Sequence, residues 1–245
     1  MPRFFIDRSQ IDDASLFIVG DDARHISRSL RMAVGDEITV CDGEGTEYLS
    51  RLCKIRDERC DARIIEKKAS LSEPKSKITL FMAYPKSDKL EIVIQKAVEL
   101  GASKIVPFES SRCIKKPKAD KVTQRTQRLT RIAEEAAKQC GRATLPEVSL
   151  PLSFSEMISC AKEAELPIFC YEGDGTVSLK KLLDEFDCPP KTVSVVVGSE
   201  GGFSPEEALF AENAGFRMAN LGPRILRCET APDYCLSAIS YKFEL

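Results

Sequence analysis

Two short stretches of this 245-residue chain gather side chains that can do chemistry. In Leu221 to Ala231 (LGPRILRCETA), Arg224, Arg227 and Glu229 fall within six residues, beside Leu221, Ile225 and Leu226. Guanidinium groups next to an apolar wall suit a nucleoside-like ligand lying against a polyanion. In Gly198 to Glu207 (GSEGGFSPEE), Gly198, Gly201 and Gly202 surround Glu200. Gly201 and Gly202 have no Cβ, so the backbone there can take positive φ and let a ligand lie directly against it. The spacing is neither GxGxxG nor a P-loop with its Lys-Ser/Thr, which disfavours dinucleotide and triphosphate sites. Arg224 or Arg227 can stabilise a developing anion, and Glu200 or Glu229 can accept a proton or fix an arginine. Structural ion pairing is an equally available use for both carboxylates.

These loops need rigid elements to aim them. Val193, Val195, Val196 and Val197 predict a buried strand that stops at Gly198. Ser204, Pro205 and Glu207 then stand in capping-box order, predicting a helix to about Ala214 with Gly215 as its stop. Strand, glycine turn and helix make the local anatomy of a ligand crevice in an α/β fold. Repetition extends the reading. Ile78 to Tyr84, Lys104 to Phe108, Pro167 to Tyr171 and Thr192 to Val197 are predicted strands. Asp88 and Glu91 are a predicted cap pair before a helix carrying Leu90, Val93, Ile94, Ala97 and Val98, and Gly101 ends it. The fold class is α/β with parallel pairing. A final helix, capped by Thr230 and Asp233, is expected to bury Ala231, Tyr234, Cys235, Ala238 and Ile239.

Residues 1–70 read differently. Turn signals at Val34-Gly35-Asp36 and Cys41-Asp42-Gly43 flank alternating segments, Glu37 to Cys41 and Tyr48 to Ile55, as in a small β-barrel. Asp21 to Met32 predicts a helix with Ala23, Ile26 and Leu30 inward and Arg24, His25, Arg28 and Arg31 on the other faces, four donors suited to phosphate. Polar, aperiodic residues 71–77 are the expected linker, and residues 78–245 the second domain.

The net charge of −2 argues against a general polyanion binder, but its distribution is uneven. From Lys104 to Arg142 eleven Lys/Arg face four Asp/Glu, an excess of +7. The island holds Arg112, Lys115, Lys116, Lys118 and Lys121, with Lys121, Arg125 and Arg128 along one face of a predicted helix from about Asp120 to Cys140; RNA backbone contact is expected. Ten cysteines include no CxxC and His25 is the single histidine, so reduced, mostly buried thiols and no metal site are expected. An apolar leader and a membrane-length run are both missing, and a cytoplasmic location is expected.

Together the two loops resemble the signature of the RsmE family, the 16S ribosomal RNA uridine N3-methyltransferases of the SPOUT superfamily. That signature is Gly-Pro-Glu-Gly-Gly-Phe-Ser, followed one βα unit later by Leu-Gly-x-Arg-Ile-Leu-Arg-x-Glu-Thr-Ala. Ser199 stands where proline is usual. Arg3-Phe4-Phe5, His25, Leu30-Arg31 with Gly35-Asp36, Lys96 to Gly101, and Gln139 to Arg142 resemble the family too. The resemblance implies an N-terminal PUA-like RNA-binding barrel and a SPOUT-type parallel sheet with a C-terminal trefoil knot. It also implies a homodimer acting on the small ribosomal subunit. S-adenosylmethionine would be held by Tyr171, Glu172, Gly198, Glu200, Gly201, Gly202, Leu221, Gly222, Ile225, Leu226 and Ala231. Arg227, Glu200, Arg224 and Glu229 are the candidate catalytic groups, and Arg3 and Arg142 join His25, Arg28, Arg31, Arg112, Lys121, Arg125 and Arg128 as RNA contacts. Two alternatives stand beside this: a non-catalytic dimeric RNA-binding protein, and a SPOUT methyltransferase of another RNA.

Overall fold

The computed structural model describes residues 1–86, 88–114 and 119–245. Contacts divide the chain into two units, 1–73 with 137–145, and 74–136 with 146–245. The first unit contains β1 (Arg3–Phe5), β2 (Ser15–Val19), α1 (Gly20–Arg24), β3 (Glu37–Cys41), β4 (Thr46–Ile55) and β5 (Arg59–Ala69). Its sheet runs β1-β3-β4-β5-β2, open between its edge strands, with β1 parallel to β3 and the remaining pairs antiparallel. Alternation sends Ile38, Val40, Leu52 and Cys60 inward with Phe4, Ile18 and Ile26.

The expected helix Asp21 to Met32 is shorter. α1 ends at Arg24, a wide π turn covers His25–Ser29, and Arg31 takes φ 51°. A left-handed residue ends the helical path, so Leu30 is left 40% exposed while Ala23 and Ile26 are buried. The predicted linker is fastened at both ends. In the first unit, Ser72 Oγ donates to the Gly141 carbonyl at 2.8 Å and Glu73 accepts from Arg142. In the second, Ser76 Oγ donates to the Pro190 carbonyl at 2.6 Å.

The second unit contains β6 (Lys77–Ala83), α2 (Lys89–Glu99), β7 (Ala102–Glu109), then α3 (Val122–Cys140), whose last turn belongs to the first unit. After it come β8 (Glu147–Val148), β9 (Leu152–Ser153), α4 (Phe154–Ala161), β10 (Leu166–Cys170), β11 (Val177–Ser178) and α5 (Leu179–Leu183). β12 (Thr192–Val197), α6 (Pro205–Asn213), β13 (Arg217–Asn220) and α7 (Thr230–Phe243) complete it. Among the described residues the sheet order is β11-β13-β10-β12-β6-β7-β8, with β9 beside β7, and every pair is parallel. Central β12 is buried from Val193 through Val197, as an apolar run broken only by Ser194 requires. From β6 the chain crosses to β7 on one side, and from β12 it crosses past β10 to β13 on the other. The carboxyl ends of β6 and β12 therefore bracket a topological switch point, where open parallel sheets form their crevices.

Two predicted caps are not made. Asp88 caps α2 without a side-chain bond, and Glu91 instead receives Arg128 at 2.9 Å. Asp233 lies inside the first turn of α7, where Glu229 is the N-cap, and the Arg227 carbonyl takes the Thr230 and Ala231 amides. On that helix Pro232 and Leu236 are buried, and Tyr234 is 46% exposed. Of the ten cysteines only five are buried: Cys41, Cys60, Cys113, Cys228 and Cys235.

Candidate active site

Loops leaving the carboxyl ends of β10, β12 and β13 wall one cleft of about 960 Å³ in the second unit. The first contributes Tyr171, Glu172, Gly173 and Thr176, the second Gly198 to Phe203, and the third Asn220 to Cys228; Ala231 of α7, Lys89 and Arg112 complete the wall. Every cofactor position read from the sequence lines it, as do Arg224 and Arg227. Glu229 meets it through Lys89.

The glycine loop is pinned at both ends. Phe203 is buried, its ring centroid 4.2 Å from that of Phe169 and 6.3 Å from that of Phe108. Ser204 then starts α6 with a complete capping box, and Glu207 accepts the Ser111 amide at 2.7 Å. Between these anchors Gly202 N–H donates to the Ser199 carbonyl at 2.9 Å. A Cβ on Gly198 would lie 3.1 Å from Gly202 Cα, so a side chain there would push the turn apart by a few tenths of an ångström. Gly202 alone of the three takes positive φ, at 62°, and no atom stands within 4 Å of where its Cβ would be. Gly201 has ordinary φ; its absent side chain makes room for Arg112, which donates to the Gly201 carbonyl at 3.1 Å.

The third loop is tied to the first by residues that the sequence reading missed. Asn220 Nδ2 donates to Thr176 Oγ1 at 3.1 Å, Asn220 Oδ1 accepts the Gly222 amide at 3.3 Å, and Thr176 Oγ1 donates to the Gly173 carbonyl at 3.2 Å. Beyond Gly222 the loop is open: Arg224 is exposed, Ile225 is 82% exposed and the Arg227 side chain is 82% exposed.

Charge in the cleft centres on Lys89. Its Nζ lies 3.0 Å from Glu229 Oε2 and 3.2 Å from Glu200 Oε1, while Glu200 also accepts the Lys86 amide at 3.1 Å. Burial pushes the Glu200 carboxyl up, but amide donors at Glu200 and Lys86 and the Lys89 ammonium outweigh it, and its pKa lies below the usual carboxylate value. The same balance, with Cys228 and the Glu229 amide as donors beside Lys89, lowers Glu229. The hydrogen bond to Glu229 in turn raises Lys89. Burial and Glu229 push the Cys228 thiol up to about 12, so it is inert. Arg227 Nη1 stands 4.0 Å from Glu229 Oε1, and Glu200 is held by lysine and amide groups instead of an arginine.

The expected RNA contacts divide. Arg3 and Arg142 face inward. Arg3 donates to Glu47 at 3.1 Å and to Cys41, and Arg142, with a side chain 4% exposed, donates to Glu73 at 2.8 Å. Both are committed to the first unit's fold, because burial demands that a guanidinium be paired. His25, Arg28, Arg31, Lys121 and Arg128 are exposed, with Arg28 paired to Asp57 and Arg128 to Glu91. Arg112 serves the glycine loop, and Arg125 lies over the Tyr84 ring at 5.8 Å, with Nε and Nη2 buried. Lys115, Lys116 and Lys118 lie outside the described residues. Among the described residues no group of His, Cys, Asp and Glu could hold a metal ion.

A family model described as RNA methyltransferase domain matches residues 72–240, and one described as RNA methyltransferase PUA domain matches 18–65. The chain is 34% identical to the Ribosomal RNA small subunit methyltransferase E of Bacillus subtilis (strain 168), over 100% of this chain and 98% of that one. Identity to the protein of the same name from Mesomycoplasma hyopneumoniae (strain 232) is 32%, over 97% and 98%. The crystal structure of a Ribosomal RNA small subunit methyltransferase E from Neisseria gonorrhoeae bound to S-adenosyl methionine aligns with a TM-score of 0.85 at 28% identity, covering 99% of this chain and 98% of that one.

Proposed function

Because the chain belongs to the RNA methyltransferase family of Ribosomal RNA small subunit methyltransferase E, we propose that it methylates N3 of a specific uridine in 16S ribosomal RNA of the small subunit, with S-adenosylmethionine as donor. The observation that carries this is the meeting of three sequence-distant loops around one cleft of ligand size.

The residues present fit the donor. Glycine backbone at Gly198 to Gly202 with the walls of Leu221, Leu226 and Ala231 suits the nucleoside, and open space beside Gly202 and Gly222 lets a ligand meet the main chain. When bound, the donor supplies an electrophilic methyl group on a sulfonium. The chain's own work is to fix geometry and manage charge. N3 is blocked in a base-paired uridine, so the target base must be splayed out. Losing the N3 proton to water at the open rim leaves an anion on the ring, and Arg227 and Arg224, exposed there, stabilise it. Glu200 and Glu229, ionised and spoken for by Lys89, are weak proton acceptors. The arginines therefore carry the larger share of the effect.

Exposed His25, Arg28, Arg31, Lys121 and Arg128 would contact RNA phosphates. The reading extends to a trefoil knot at the C-terminus, a cytoplasmic location and a homodimer. Tyr234 and Tyr241, 46% and 76% exposed on α7, support an interface there. Light scattering at micromolar concentration should give a mass near twice 27.2 kDa; a monomer mass would contradict the dimer. Calorimetric titration with S-adenosylmethionine tests the cleft: one site per chain is expected, and no binding would overturn the donor assignment.

A further inference from the structure

Glu200 and Glu229 lie on different loops, yet both reach the same ammonium. Lys89 opens α2 and is anchored by a helix that buries Leu90, Val93 and Ile94. Glu200 extends from the glycine loop to this helix start, where the Lys86 amide also donates to it. Glu229 is the N-cap of α7 and follows directly on the arginine loop. Two ionised carboxylates converging on one cleft repel each other, and an ammonium between them converts that repulsion into two attractions. Loops outside helix and sheet ladders keep their place through a few such contacts.

We propose that Lys89 is a positioning residue that clasps the glycine loop to the arginine loop, and thereby sets the affinity of the cleft for the donor. The proposal rests on the S-adenosylmethionine reading above for its ligand. It goes beyond that reading in assigning the cleft's assembly to a side chain on neither loop. An arginine can span the same two carboxylates; an alanine leaves them facing each other across the gap.

The experiment pairs calorimetric titration of S-adenosylmethionine with amide hydrogen exchange on wild type, K89A and K89R. K89A is expected to weaken donor binding at least tenfold, and K89R to stay within threefold in affinity. Without any ligand, K89A should exchange faster at Gly201 to Phe203 and at Leu221 to Leu226, with α2 and β12 unchanged. Donor affinity within twofold of wild type in K89A, or K89R as weak as K89A, would overturn the clasp. Unaltered exchange in both loops would overturn it independently of any donor. Failure of the wild type to bind the donor would instead overturn the cofactor reading, and the exchange arm would still decide the clasp.

Discussion

Arg227→Ala is expected to lower the single-turnover methylation rate by about 10² to 10³ while donor affinity changes little, the scale of losing one preorganised donor to a developing oxyanion. Its side chain is 82% exposed and 4.0 Å from Glu229 Oε1, so truncating it removes little buried contact. Its backbone carbonyl takes the first two amides of α7 in the variant as before. The pH dependence carries a second signature. A nearby guanidinium favours the N3 anion and so lowers the pKa of the bound base. Removing it shifts the rising limb of the rate profile to higher pH. Arg227→Lys should recover part of the rate, since a point charge replaces the planar fork. Wild-type rates in both Arg227→Ala and Glu200→Ala at saturating donor would show that neither residue takes part in the chemistry.

Arg142→Ala should have the largest effect on stability, about 3 kcal/mol for leaving one partner of an enclosed ion pair unmatched. Glu73 accepts Arg142 Nε at 3.2 Å and Nη2 at 2.8 Å, and its other oxygen takes the Ala143 and Thr144 amides at 2.8 and 3.0 Å. Burial pushes the Glu73 carboxyl up, but Arg142 and the two amides more than reverse this, so its folded pKa lies below the unfolded 4.5. The stability it supplies is thus complete above about pH 4.5 and lost as the pH falls through the folded value. Native-state hydrogen exchange at β3 and β4 reads the first unit by itself, and should quicken roughly a hundredfold at neutral pH. The difference from wild type should shrink as the pH falls below about 4.5. A penalty that does not vary with pH would place the effect in packing alone.

What was legible in the sequence was local. The valine run of β12, the Ser204–Glu207 capping box and the Gly215 stop each lie within a few residues, and each forms as written. The glycine and arginine loops carry their signal in their own composition, and parallel topology then brings them to one end of the sheet. Residues whose roles arise from distant partners were hidden. Lys89 finds Glu229 across 140 positions, and Asn220 finds Thr176 across 44. Distance also hid the pairing of Arg3 and Arg142. Their partners Glu47 and Glu73 lie 44 and 69 positions away, and only the folded first unit shows that both guanidinium groups turn inward. Helix ends were the other weak point: Asp88, Glu91, Thr230 and Asp233 have capping chemistry, but Glu91 was taken by Arg128 and the α7 start by a carbonyl.

The most direct test of the central claim is transfer of a labelled methyl group from S-adenosylmethionine to small ribosomal subunits lacking the modification, followed by nucleoside mass spectrometry. Label recovered as N3-methyluridine from 16S ribosomal RNA is the predicted result, fixing donor, atom and substrate together. Label on another base or on ribose, or none with donor bound in the cleft, would contradict it.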